Sequence, residues 1–158
     1  MRHPTAHIQD GETSLRFRRE FDGPAQLVFR AHVEADLFVR WMGPQGTAVR
    51  VERFDARTGG AFSYSVVGTG EWAFFGSYHE VSAPNRIVHT WEFADEPGRP
   101  TLESLTFVDL PGGRCRLDGL SLYTSPEHCA ETLAWDLSGC GMDENFDRLD
   151  HVLADLTT

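Results

Sequence analysis

AFSYSVVGTGEWAFFGSYHEVSAPNRIVHTWEF, residues 61–93, reads as three consecutive β-strands separated by two tight turns. In 61–67, Phe62, Tyr64 and Val66 fall on one face and smaller or polar residues on the other. This period of two is that of a half-buried strand. Gly68-Thr69-Gly70 turns the chain into 71–81, where Trp72, Phe74, Gly76 and Tyr78 share a phase. Ala83-Pro84-Asn85 turns it again into 86–93, with Ile87, His89, Trp91 and Phe93 in phase. Strands joined by such short connections form an antiparallel meander.

The meander extends both ways. Upstream, TAVRVERFD (47–55) sets Val49, Val51 and Arg53 against Arg50, Glu52 and Phe54. Downstream, 101–110 and 114–123 flank a Pro111-Gly112-Gly113 turn. A first strand, 14–21, places Leu15, Phe17 and Arg19 on one face. Asp22-Gly23-Pro24 breaks it, and two short helices follow over 24–32 and 34–42, closed by Gly43-Pro44. Pro24 suits the first helical position, where its missing N–H costs nothing. At the far end, Ser125 caps a helix opened by Pro126 and Glu127. Ser138-Gly139-Cys140-Gly141 interrupts that helix, and beyond it Met142, Phe146, Leu149, Leu153 and Leu156 form an apolar stripe. Asp143, Glu144, Asp147, Arg148 and Asp150 are expected on its wet side.

The expected fold is therefore α+β: a curved antiparallel sheet of about seven strands, two short helices after the first, and a long C-terminal helix in the sheet's concavity. At 158 residues the chain fits one domain over 14–158. Residues 1–13 are expected as a flexible lead-in.

Composition narrows the function. The net charge is −10, which disfavours nucleic acid and anionic membranes, both of which need cations to neutralise phosphate. Every basic residue is Arg, so no lysine can form a Schiff base. No apolar run approaches the ~18 residues that span a bilayer. The polar N-terminus lacks the apolar core of a signal peptide, and a cytoplasmic location is expected. Cys115, Cys129 and Cys140, an odd set without paired spacing, read as reduced core thiols.

Order and motifs together resemble the START-like superfamily (SRPBCC, birch-pollen-allergen type). Within it, the chain is most similar to bacterial relatives of the C-terminal domain of the heat-shock-protein-90 ATPase activator. Four segments carry the resemblance: Arg40-Trp41-Met42-Gly43-Pro44; Thr58-Gly59-Gly60-Ala61-Phe62; Gly76-Ser77-Tyr78-His79-Glu80-Val81 with Pro84, Arg86-Ile87-Val88 and Thr90-Trp91; and Gly139-Cys140-Gly141-Met142 with Phe146-Asp147-Arg148-Leu149-Asp150. The resemblance implies a helix-grip fold around a cavity. It implies no universal catalytic motif, because tasks in the superfamily diverge on one fold.

Aromatic clustering is the strongest functional signal. Trp41, Phe62, Tyr64, Tyr78, His89, Trp91, Trp135, Met142 and Phe146 are expected to line the cavity, although any of them could instead fill a core. The leading expectation is non-catalytic binding of a hydrophobic or aromatic small molecule, without cofactor or metal. The alternative is an enzyme of the cyclase/aromatase or hydrolase kind, with His89 as acid or base and a tyrosine or Glu80 polarising the substrate; Glu80 and Glu71 are the candidate partners of His89. A third reading is a stress co-factor or protein-interaction module, and a second copy of the chain is a candidate partner. Gly68-Thr69-Gly70-Glu71-Trp72-Ala73 is not a dinucleotide fingerprint, because a strand and not a helix follows it. His3 and His7 lie in a polar tail around Pro4, and His128-Cys129 with Cys140 is too sparse for zinc.

Overall fold

The computed structural model describes residues 3–137 and 141–157. The strands are β1 (Ala6–Gly11), β2 (Ser14–Phe21), β3 (Ala48–Phe54), β4 (Ala61–Val67), β5 (Glu71–Ser82), β6 (Arg86–Phe93), β7 (Thr101–Leu110) and β8 (Arg114–Leu122). They form one antiparallel sheet in the order β1-β2-β8-β7-β6-β5-β4-β3. Helices α1 (Ala25–Val33) and α2 (Ala35–Phe38) connect β2 to the far edge strand β3. Helices α3 (Pro126–Leu137) and α4 (Met142–Thr157) end the chain. The architecture is the expected α+β helix grip.

The strand beyond the expected seven is β1, within residues read as a flexible lead-in. Its backbone pairs with β2 from Ala6↔Arg18 onward. Nearly all its side chains are exposed, so it carries no apolar alternation to read. In place of one long helix there are two, and residues 138–140 of the expected interruption, Cys140 included, lie outside the described residues. Helix α2 is shorter than expected, with single turns continuing through Trp41 and Met42. In β3 a bulge between Val51 and Arg53 shifts the phase, so Phe54 packs on Phe38 (5.0 Å) while Arg53 is exposed.

The caps follow local chemistry. The Ser125 hydroxyl accepts the His128 N–H at 3.1 Å, a standard N-cap contact. Pro24 sits one position before α1, and the carboxylate of Asp109 on β7 accepts the free Ala25 N–H at 2.8 Å. The Pro111-Gly112-Gly113 turn has positive φ at both glycines (85° and 72°), which few other residues tolerate.

Phe146, Leu149, Val152 and Leu153 bury the apolar stripe of α4. Phe146 meets Phe21 edge-on at 5.4 Å and stacks against Trp41 at 6.1 Å. The polar edge of α4 is only partly wet, the side chains of Asp143, Asp147 and Asp150 keeping 37%, 35% and 24% exposure. Arg19, fully buried in the apolar phase of β2, donates to Asp143 (3.2 Å), Asp147 (3.0 Å) and Asp150 (2.7 Å) and to the Thr5 hydroxyl (3.2 Å). Those three carboxylates, expected in water, recur at helical spacing and converge on one guanidinium.

Curvature comes from two glycine–phenylalanine pairs. Phe17 lies opposite Gly119 and Phe62 opposite Gly76. A Cβ on Gly119 would stand 2.0 Å from the Phe17 ring, and one on Gly76 would stand 1.9 Å from the Thr90 carbonyl oxygen. Each ring therefore occupies the space of a missing side chain on the next strand, which lets the sheet bend. Gly119→Ala is expected to lower unfolding stability by about 1–3 kcal/mol, as overpacking does. In urea titrations the loss should shrink on a Phe17→Leu background; equal losses on both would mean the ring is not what the methyl meets.

Candidate functional site

The central strands carry polar groups where the alternation calls for apolar ones. On β7 the inward phase runs Thr101, Glu103, Leu105, Phe107; on β8 it runs Cys115, Leu117, Gly119, Ser121. Register sets Glu103 opposite both His89 of β6 and Ser121 of β8, and Thr101 opposite Trp91. Opposed residues of antiparallel strands share a face, so these groups meet on the concave side.

His89 Nε2 lies 2.9 Å from Glu103 Oε1, and the Ser121 hydroxyl donates to Glu103 Oε2 at 3.1 Å. A carboxylate only accepts, so Nε2 carries the proton of this bond. The side chains of His89 and Glu103 are 16% and 22% exposed. Burial pushes the Glu103 carboxyl up, but the hydrogen bond and charge of His89, the Ser121 hydroxyl and the charge of His32 more than offset it, leaving the group below its ordinary value. The rings of Tyr78 (5.9 Å, stacked) and Phe62 (5.8 Å) flank His89. His89 Nδ1 and Thr101 Oγ1 are both buried without a hydrogen-bond partner among the described residues.

Beside this polar floor runs an aromatic wall. Phe74 stacks on Trp91 at 4.9 Å and contacts Phe93 at 5.3 Å. Trp91 Nε1 donates to the Tyr64 hydroxyl at 3.1 Å. Phe74, Trp91 and Phe93 are half-buried, whereas Phe62, Tyr64 and Tyr78 are buried. Burial pushes the phenols of Tyr64 and Tyr78 well above their ordinary value.

Of the residues expected to line a cavity, Trp41, Phe62, Tyr64, Tyr78 and Phe146 lie in the packed core, each touching another ring. Trp91 and Met142 are half-buried against that core. Trp135 is 57% exposed near the end of α3, although it lies two turns beyond the buried His128 on nearly the same side of that helix. The partner of His89 is Glu103. Glu80 meets the Ser82 hydroxyl (2.9 Å) and Arg86 (3.4 Å) instead, and Glu71 meets Arg50. Glu103, Ser121 and Thr101 were missed, although polar residues within an otherwise apolar phase were the available signal.

His32 was also missed. Its ring packs against Trp41 (4.8 Å) and Phe107 (5.2 Å), and Nδ1 contacts the Val28 carbonyl at 2.8 Å. Cys115 and Cys129 are buried free thiols, and burial pushes Cys115 up to about 12. Two open hollows flank α1. The larger, about 470 Å³, is lined by Gln26, Phe29, Arg30, Val33, Ala83 and Pro84; the other, about 240 Å³, by Pro24, Gln26, Leu27, Arg30 and Thr157. No residue expected in the site borders either. Among the described residues, no group of three or more His, Cys, Asp or Glu could hold a metal ion, and no helix is long and apolar enough to cross a membrane.

A bent antiparallel sheet clasping a C-terminal helix, with a polar pair set into an aromatic concave face, defines a helix-grip protein of the SRPBCC type. The chain belongs to the family described as Activator of Hsp90 ATPase homolog 1-like protein, which matches residues 22–154. Its fold is similar to a crystal structure from Rhodobacter sphaeroides (TM-score 0.87, 23% identity, 96% of this chain and 99% of that one). CalU16 from Micromonospora echinospora is more distant (TM-score 0.61, 18% identity, 98% and 87%). So is an HSP90 activator from Plasmodium falciparum (TM-score 0.60, 17% identity, 81% and 89%). No curated protein matches the chain.

The half-buried imidazole of His32 sets a pH dependence. Burial lowers it from 6.5 to about 4, despite the Val28 carbonyl and the Glu103 charge. The unfolded chain therefore takes up this proton first as pH falls, and stability declines between about 6.5 and about 4, by up to about 3 kcal/mol. Glu103, whose folded value is lowered, adds a loss of the same sign as pH falls through that value. Urea midpoints measured across this range should fall with acid, and His32→Gln should flatten the slope.

Proposed function

We propose that this protein binds a hydrophobic or aromatic small molecule on the concave face, against Phe74, Trp91 and Phe93, with the ligand's polar end toward His89 and Thr101. The observation that carries this reading is the pair of buried polar atoms without partners, His89 Nδ1 and Thr101 Oγ1, beside a half-buried aromatic wall. A buried polar group without a partner costs roughly 1–3 kcal/mol. A ligand that satisfies both atoms recovers that cost, and apolar contact adds about 25 cal/mol per Å² of surface removed from water. Ring faces and few polar tips are the usual composition of a small-molecule site.

The same geometry favours a second reading, an acid–base enzyme. Glu103 fixes the tautomer and orientation of His89, as a carboxylate does for a catalytic imidazole. The Ser121 hydroxyl holds Glu103 in turn. The binding reading ranks first because it requires no second titrating group beside the ligand.

Denaturation midpoints against a panel of apolar and aromatic compounds test the binding reading. At least one compound should raise the midpoint, by RT ln(1 + [L]/Kd) in free-energy terms. Trp91→Ala should weaken that compound by about tenfold or more, the cost of losing a stacking face. No shift with any compound, or full retention of affinity in Trp91→Ala, would sink the reading. Turnover of a bound compound that His89→Gln abolishes would move the enzyme reading ahead.

A further inference from the structure

We infer that the ligand class is a neutral aromatic alcohol, a phenol-type molecule, held by its hydroxyl between His89 Nδ1 and Thr101 Oγ1. This rests on the concave-face binding reading and specifies its chemistry.

Four observations carry it. First, Glu103 engages Nε2–H of His89, so a neutral imidazole turns a bare lone pair at Nδ1 toward the buried face. A lone pair selects a hydrogen-bond donor. Second, Thr101 is 5% exposed and its hydroxyl has no partner, so its O–H selects an acceptor. Third, the two groups are diagonal neighbours, since His89 opposes Glu103 while Trp91 opposes Thr101. Such neighbours on one face are about 7–8 Å apart at their backbones, a span that two side chains and one intervening oxygen can bridge. A single hydroxyl donates to Nδ1 and accepts from Thr101; an ether or ketone oxygen cannot donate, and a hydrocarbon does neither. Fourth, the Glu103 carboxylate on the same face repels a carboxylate ligand, and its paired cation, when present, is already engaged. The stacked rings of Phe74 and Trp91 on the same face favour a flat aromatic body over an aliphatic chain.

The test is calorimetric titration of the whole chain with four matched probes: naphthol, methoxynaphthalene, naphthalene and naphthoate. Naphthol should bind about tenfold more tightly than methoxynaphthalene, naphthalene or naphthoate, the ratio expected when buried partners are satisfied rather than left unpaired. Thr101→Val and His89→Phe should each remove most of that preference while retaining affinity for methoxynaphthalene. Equal or tighter binding of methoxynaphthalene or naphthoate by the unaltered protein overturns the ligand class and leaves the apolar site standing. Failure of all four probes to bind overturns both.

Discussion

The buried guanidinium of Arg19 decides where the helix sits against the sheet. A cation inside an apolar layer is tolerable only if most of its donors are used; here three carboxylates of α4 and the Thr5 hydroxyl engage the two terminal nitrogens, and Nε has no partner among the described residues. Its charge also lies over the rings of Phe21 (5.5 Å) and Phe146 (5.9 Å). Hydrophobic packing alone would allow α4 to slide or roll along the concavity. A planar fork bonded to Asp143, Asp147 and Asp150 fixes both its register and its rotation. The desolvation is visible in Asp150, whose carboxyl burial pushes up despite the neighbouring cation.

That clamp divides the concave face. Around β2 the helix fills it, with Phe17, Phe21 and Trp41 each against Phe146. The half-buried rings lie elsewhere, where β5, β6 and β7 present Phe74, Trp91, Phe93 and Thr101. Bending supports the division, because the two glycines that admit Phe17 and Phe62 lie on β8 and β5, flanking the two strands that carry His89 and Glu103. The polar pair thus stands on the part of the sheet held between two bends, and its geometry is set by strand register more than by loop conformation.

Most of the architecture was legible because alternation and turn chemistry are local. Phe62, Tyr64 and Val66 share one face as their spacing implies, and Ser125 caps its helix. What failed was whatever depended on a partner distant in sequence. Strand β1 has no alternation because it is an exposed edge, held by backbone pairing and by the Arg16–Asp10 ion pair. Arg53 and Phe54 exchange roles because of a bulge that no residue type announces. The aspartates of α4 appear solvent-bound until Arg19 is placed beneath them. His89 was identified from its phase, but its partner lies across the next strand, at Glu103, and not along its own hairpin at Glu80. Trp135 is exposed although it falls nearly in line with the buried His128 on α3, so helical phase alone does not reveal it.

The two buried ionic clusters differ in what they need, and that difference separates scaffold from site. Every carboxylate around Arg19 comes from the helix it must hold, so the cluster has a structural purpose within the chain even though Nε is left without a partner among the described residues. The His89–Glu103–Ser121 set holds nothing comparable, because β6, β7 and β8 are already joined by their backbone ladders. Apolar residues of similar size at those positions would pack the layer without the cost of burying a charge, and such replacements are often neutral or stabilising. A sequence that instead keeps an oriented imidazole there, with one nitrogen engaged and the other unmatched beside an unmatched threonine hydroxyl, has departed from what its own fold requires. Departures of that kind accumulate where a protein meets something other than itself.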